Sequence, residues 1–189
     1  MDKELKKILK RCLKKDRRAQ FKLYHRSYDF LMSICMRYQK NRDEAEALLN
    51  EGFLKVLLNL DSYDFDREYQ AWASTIMIRT AIDQYRAEKS YQQNTDLQED
   101  EAVLERESLS AKHMRMVHEM TQGEIAELIQ SLPDSLRLVF NLYELEGYQH
   151  QEIADMLDIS LRSSKRYLKQ AKNTLKERLE QNAQLKKVI

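Results

Sequence analysis

Residues 149–179 read QHQEIADMLDISLRSSKRYLKQAKNTLKERL. Apolar residues recur at helical spacing on both sides of Asp158-Ile159-Ser160, which predicts one helix over about Gln149–Leu157 and a second over Leu161–Leu179. Two helices joined by three residues, the second of them basic, form the helix-turn-helix pattern. At about 100° per residue, Ser164, Tyr167, Leu168, Ala171, Leu175 and Leu179 share one face of the second helix. Arg162, Arg166, Lys169, Gln170 and Asn173 lie on the opposite face. The outward N-terminal part of such a helix enters the major groove, where Arg and Gln pair with base edges. Lys165, Lys172 and Lys176 flank that face, within reach of phosphates. The stretch 161–176 holds six bases and no acid. A solvated surface helix has the same charge pattern, so the structure of the helix must decide between the two readings.

Upstream of this pair, Thr121-Gln-Gly-Glu124 is a capping box in front of Ile125, Leu128 and Ile129. Ser131-Leu-Pro133 restarts a helix with proline in its first turn, and Gly147 stands where a C-terminal cap belongs. Residues 91–120 lose the periodicity. Six acids fall within 96–107 against one base, and the segment reads as an acidic flexible linker that is partly helical near its end. Before the linker, Leu5, Ile8, Leu9, Cys12 and Leu13 predict a basic amphipathic helix over residues 2–15. Asp16 caps a second helix with the stripe Phe21, Tyr24, Tyr28, Leu31, Met32 and Cys35. Asn41, Asp43 and Glu44 open a third that runs to Leu60, and Asp61–Asp66 reads as a loop. A fourth helix runs from about Arg67 to Lys89 through Trp72, Ile76, Ile82 and Tyr85. The expected organisation is all-α: an N-terminal helix (1–16), a first domain (17–90), the linker (91–120) and a helix-turn-helix domain (121–189).

The third helix is apolar on two sides. Ala45, Leu48, Leu49, Phe53, Val56, Leu57 and Leu60 supply an ordinary core stripe, while Ala47, Leu54 and Leu58 line up opposite them with Glu51. Such a helix is either buried within its domain or docked on another protein. Four short helices can hardly surround it, which favours a partner surface.

Composition narrows the function classes. Three glycines and one proline, where average usage is roughly 12% of residues, starve the chain of the tight turns that sandwiches and barrels need. No run of apolar residues exceeds three, so the sequence predicts neither a membrane span nor a signal-peptide core, and a cytoplasmic protein is expected. Cys12 and Cys35 lack metal-ligand spacing and sit on apolar stripes, and His113 and His118 are five apart. With no phosphate loop, HExxH or GxSxG, the sequence offers no catalytic residue, metal site or cofactor site. The net charge of +1 hides local asymmetry: residues 1–40 carry thirteen Lys and Arg against four acids.

The segment Asp43-Glu-Ala-Glu-Ala-Leu-Leu-Asn-Glu-Gly-Phe-Leu-Lys-Val56, with Trp72 and Ile78-Arg-Thr-Ala-Ile-Asp83, resembles the second conserved region of bacterial extracytoplasmic-function sigma factors. Leu132-Pro-Asp-Ser-Leu-Arg137 and Gln151-Glu-Ile-Ala-Asp-Met-Leu-Asp-Ile-Ser160 resemble their fourth region. The resemblance implies a transcription initiation factor whose partners are core RNA polymerase, through the clamp coiled coil of the β′ subunit and the flap of the β subunit, and promoter DNA. It also admits an anti-sigma factor or a DNA-bound recruiting factor as a further partner. By position it makes Ala47, Asn50, Glu51, Leu54 and Leu58 the docking face. Arg79, Thr80, Asp83 and Arg86 become −10 contacts, and Tyr63 and Phe65 lie in the loop that captures a flipped base. The −35 reader becomes Arg137, Gln151, Arg162, Ser163, Lys165, Arg166, Lys169, Gln170 and Asn173. The sequence departs from the pattern where Ala47 and Asn50 replace an Asp and a Gln, and where Arg162-Ser163-Ser164 stands for Gly-Thr-Val. Asp158 also occupies the turn position usually held by Gly. A helix-turn-helix repressor or activator with a dimerising first block is the rival reading, and it leaves the match at 43–83 accidental.

Overall fold

The computed structural model describes residues 2–91, 117, 118 and 120–185. The described residues are helical throughout their regular structure, and the chain divides into two compact units between Gln84 and Tyr85. That division falls inside a helix, upstream of the segment 91–120, nearly all of which lies outside the described residues.

In the first unit, helix α1 (Lys3–Cys12) begins at Asp2, whose carboxylate accepts the Glu4 N–H. It stops short of the expected end at residue 15, where Lys15 turns into the left-handed region at φ 57°. Helix α2 (Arg17–Tyr38) is capped by Asp16, as its sequence predicts. Helix α3 (Arg42–Leu58) is capped by Asn41 and followed by a 3-10 turn at Leu60–Ser62. Helix α4 (Tyr69–Tyr91) starts two residues later than expected, because the Tyr63 hydroxyl takes the Arg67 carbonyl and holds that residue in the loop. Leu9, Leu23, Leu31, Leu48, Leu49, Val56, Leu60 and Met77 are fully buried, and Cys12 and Cys35 lie among them. Burial pushes the Cys12 thiol up to about 11 and the Cys35 thiol to about 12, so both are neutral core residues.

The stripe expected on α2 is rotated. Leu23, Ser27, Leu31, Ile34, Cys35 and Tyr38 face inward, while Phe21 is 66% exposed and Tyr24 and Tyr28 are half-buried. Ser27 is tolerated inside because its hydroxyl bonds to that of Tyr69 at 3.1 Å. The two tyrosines reach the rim, where Tyr24 donates to Asn50 Oδ1 (2.9 Å) and Tyr28 to Glu46 Oε1 (3.2 Å).

In the second unit, helix α5 (Gln122–Gln130) opens with the reciprocal capping box of Thr121 and Glu124. Helix α6 (Asp134–Phe140) follows Pro133, which stands just before the first turn rather than within it, and continues as a π turn over Asn141–Leu145. Gly147, at φ 78°, ends that run. Helix α7 (His150–Leu157) and helix α8 (Leu161–Leu185) complete the unit, and α8 outlasts its expected end at Leu179. Leu128, Leu132 and Leu136 pack against Ala171, Leu175 and Leu179, so the apolar face of α8 is the spine of this core.

Candidate protein and nucleic-acid interfaces

Helix α3 divides its residues as its two stripes predict. Ala45, Leu48, Leu49, Phe53 and Val56 are buried, while Ala47, Asn50, Glu51, Leu54 and Leu58 all lie on the exposed side. Leu54 is 56% and Leu58 69% exposed, so two leucines one turn apart offer apolar surface to solvent. Polar neighbours hold the strip in place. Asn50 accepts from Tyr24, and Glu51 accepts from Gln84 Nε2 at 2.7 Å and pairs with Lys55 at 3.1 Å. The Gln84 hydrogen bond, with Lys55 beside it, holds the Glu51 carboxyl below its ordinary range. Sequence reasoning missed Phe21, assigned above to the core. Tyr28 meets Glu46 and Tyr24 meets Asn50 along the α2–α3 seam, while Phe21, one turn nearer the start of α2, is 66% exposed with its ring against His25. Only the antiparallel pairing of α2 and α3, absent from a one-dimensional stripe, reveals this.

The residues expected to meet the −10 element separate into two groups. Arg79, Asp83 and Arg86 are exposed on α4, and Asp83 pairs with Lys55 at 3.3 Å. Thr80 is fully buried and its hydroxyl donates to the Ile76 carbonyl at 2.8 Å, so it is a core residue without access to DNA. Tyr63 is 4% exposed, packed against Trp72 (ring centroids 4.7 Å) and Phe65 (5.2 Å), and its ring offers no face on which a base could stack. Phe65 is half-buried in the same loop, with Lys6 Nζ 5.9 Å above its ring.

In the second unit, α7 and α8 flank a turn at Asp158, which adopts φ 53° and ψ 53°. This left-handed backbone favours Gly and is open to Asp at modest cost. Ser160 caps α8 by accepting the Ser163 N–H at 3.0 Å, and the two hydroxyls lie 2.9 Å apart, so Ser163 is engaged in the cap. Arg162 and Gln170 are exposed, and Lys165, Arg166, Lys169 and Asn173 are half-buried around them. Arg166 lies against Tyr167, its guanidinium carbon 5.3 Å from the ring centroid. Gln151 is exposed on α7, where its amide donates to Asp155 Oδ1 at 3.1 Å. Lys172 is tied to Glu144 at 2.6 Å, which makes it a brace between α8 and the π turn rather than a flanking cation.

Arg137 is not at this surface. It is 2% exposed, and its guanidinium donates to the carbonyls of Gln130 (3.0 Å) and Leu132 (2.9 Å) and to Asp134 Oδ1 (2.6 Å). Those carbonyls close α5 and the turn after it, so Arg137 caps a helix end from within. His150 was also missed by sequence reasoning. Its ring stacks on Tyr143 (centroids 4.4 Å, 24°), and Nδ1 lies 3.0 Å from Ser164 Oγ, which locks the start of α7 to the start of α8. Burial, with Lys165 and Lys172 nearby, lowers its pKa, so the ring is neutral near pH 7. Among the described residues no group of His, Cys, Asp and Glu is arranged to hold a metal ion.

The described parts match known families. The family model described as Sigma-70 region 2 matches residues 23–91, and the one described as Sigma-70, region 4 matches residues 122–175, together about two thirds of the chain. Among curated relatives, the ECF RNA polymerase sigma factor SigW of Bacillus subtilis is 25% identical over 184 residues, covering 95% of this chain and 98% of that protein. The ECF RNA polymerase sigma-E factor of Escherichia coli is 27% identical over 156 residues, covering 80% of this chain and 81% of that protein. A solved structure of the sigma factor RpoE with the anti-sigma factor NepR from Bartonella quintana is 18% identical, at a TM-score of 0.48 over 84% of this chain and 95% of that one.

Proposed function

This chain belongs to the sigma-70 family, in its extracytoplasmic-function group, and we infer that it is a transcription initiation factor that binds core RNA polymerase and directs it to promoters. It acts by binding rather than by catalysis, in the cytoplasm. The observation that carries the reading is the exposed apolar strip of Leu54 and Leu58 on a helix whose other face is already the core of its unit. A fold has no use for that strip, whereas a helical partner surface buries it. Residues 17–90 then dock on the polymerase clamp through Ala47, Asn50, Glu51, Leu54 and Leu58. Phe65, Arg79, Asp83 and Arg86 face the −10 element. Residues 121–189 read the −35 element through Arg162, Arg166, Lys169, Gln170 and Asn173, with Gln151 and Lys165 beside them, and residues 91–120 join the two units.

Absence of charge at positions 47 and 50 leaves apolar burial as the main source of docking affinity. No helix among the described residues is long and apolar enough to cross a membrane. The test is run-off transcription with core polymerase on genomic fragments. Discrete transcripts that require this chain support the reading. Tight operator binding by a dimer of the chain alone, with no retention on core polymerase, overturns it in favour of a repressor or activator.

A further inference from the structure

We propose that the outer face of helix α1 is a DNA-backbone contact surface placed beside the −10 loop, an inference that rests on the reading just given. At about 100° per residue, Lys3, Lys6, Lys7 and Lys10 occupy roughly a 100° arc opposite the buried Ile8, Leu9 and Cys12. All four are exposed, and none makes an ion pair among the described residues. The two acids at this end of the chain are withdrawn from the arc. Asp2 caps the helix and pairs with Arg26 at 2.6 Å, and Glu4 pairs with the same guanidinium at 3.3 Å. The arc is therefore a patch of one sign without ion-paired partners among the described residues, and a polyanion supplies them.

Position identifies the polyanion. Lys6 lies above the Phe65 ring, so α1 borders the loop 61–68 assigned to the opened promoter strand. That loop carries exposed Asp61, Asp64 and Asp66, which repel phosphate, and Arg67 is engaged with Asp64 at 3.6 Å. The lysine arc next to it restores the attraction the loop lacks. Such contacts set affinity and register without reading bases.

The test compares wild-type holoenzyme with holoenzyme carrying Lys3→Gln, Lys7→Gln and Lys10→Gln together. The probe is a forked DNA, a duplex with a single-stranded tail, selected from a random pool by the wild-type holoenzyme. The expected result is unchanged affinity for core polymerase and at least about tenfold weaker DNA binding near 0.1 M salt, with a salt slope shallower by about two to three. Loss of core affinity would show that the arc meets an acidic protein surface, and unchanged DNA binding with an unchanged slope would show a solvated face; either overturns the proposal. If the wild-type chain selects no DNA with core polymerase, the functional reading above fails instead. Thermal melting of the triple variant, unchanged for three exposed substitutions, separates both from misfolding.

Discussion

Helices α3 and α8 are both amphipathic elements whose inner faces build a core, and they differ in what they leave outside. The outer face of α3 presents Leu54 and Leu58, framed by Asn50 and Glu51, whose polar groups are already engaged within the unit. The outer face of α8 presents Arg162, Gln170 and a ring of half-buried cations. An apolar strip gains little from water or phosphate and much from a complementary dry surface. Cations on an outward helix gain little from a dry surface and much from a polyanion. The two outer faces thus suit different partner chemistries, an apolar one on α3 and a cationic one on α8.

The strongest way to break that contrast is to put charge on the apolar strip. Leu54→Glu should leave the melting temperature unchanged and weaken core-polymerase binding about a thousandfold, since burying an unpaired carboxylate costs several kcal/mol. Gln170→Glu on α8 should leave the same pull-down unaltered. A collapsed melting curve for Leu54→Glu would return the strip to the core.

Arg137 tests the border between contact and scaffold. Arg137→Ala removes three hydrogen bonds, one buried and two part-buried, and should destabilise the second unit by about 2–4 kcal/mol. Differential scanning calorimetry should show the lower transition. A normal transition with weaker DNA binding would restore Arg137 to the DNA surface.

A smaller effect sharpens the α8 side. Arg162→Ala should cost about 1–3 kcal/mol at one base pair and leave the other positions of a binding-site selection unchanged. Uniform weakening across sequences would make it a phosphate contact. The smallest effect concerns His150. Burial depresses its folded pKa below the ordinary imidazole range, so the unfolded chain takes up the proton first as the pH falls. The stability contributed by the neutral ring is complete above the unfolded pKa and is lost as the pH drops through it toward the folded one. Melting curves between pH 7.5 and 5 should shift downward, and less so in His150→Gln.

The helices were legible because their signals are local. Asp16, Asn41 and the Thr121–Glu124 box cap where their side chains predict, and the Asp158 turn takes the left-handed backbone that its place between two helices requires. The α3 strip was legible for the same reason, since opposite faces of one helix follow from spacing alone. What failed depended on neighbours distant in sequence. Phe21 sits at helical spacing from core residues, yet the α2–α3 pairing puts it outside. Thr80, Tyr63 and Arg137 carry DNA-binding chemistry in their side chains, but Ile76, Trp72 and the Gln130 and Leu132 carbonyls use it internally. A residue type states what a side chain can bond, and only packing states whether that bond is already made.

Gly52 lies on α3 between Glu51 and Leu54, and a methyl group there would run into the thioether end of the Met77 side chain on α4. Glycine inside a helix costs about 0.5–1 kcal/mol against alanine, and here it leaves room for the Met77 thioether against α3. The same crossing is tied by one polar cluster, in which Glu51 accepts from Gln84 and Lys55 pairs with both Glu51 and Asp83. These polar links couple the apolar strip of α3 to the exposed Asp83 side of α4, so the two surfaces belong to one packed pair of side-chain layers.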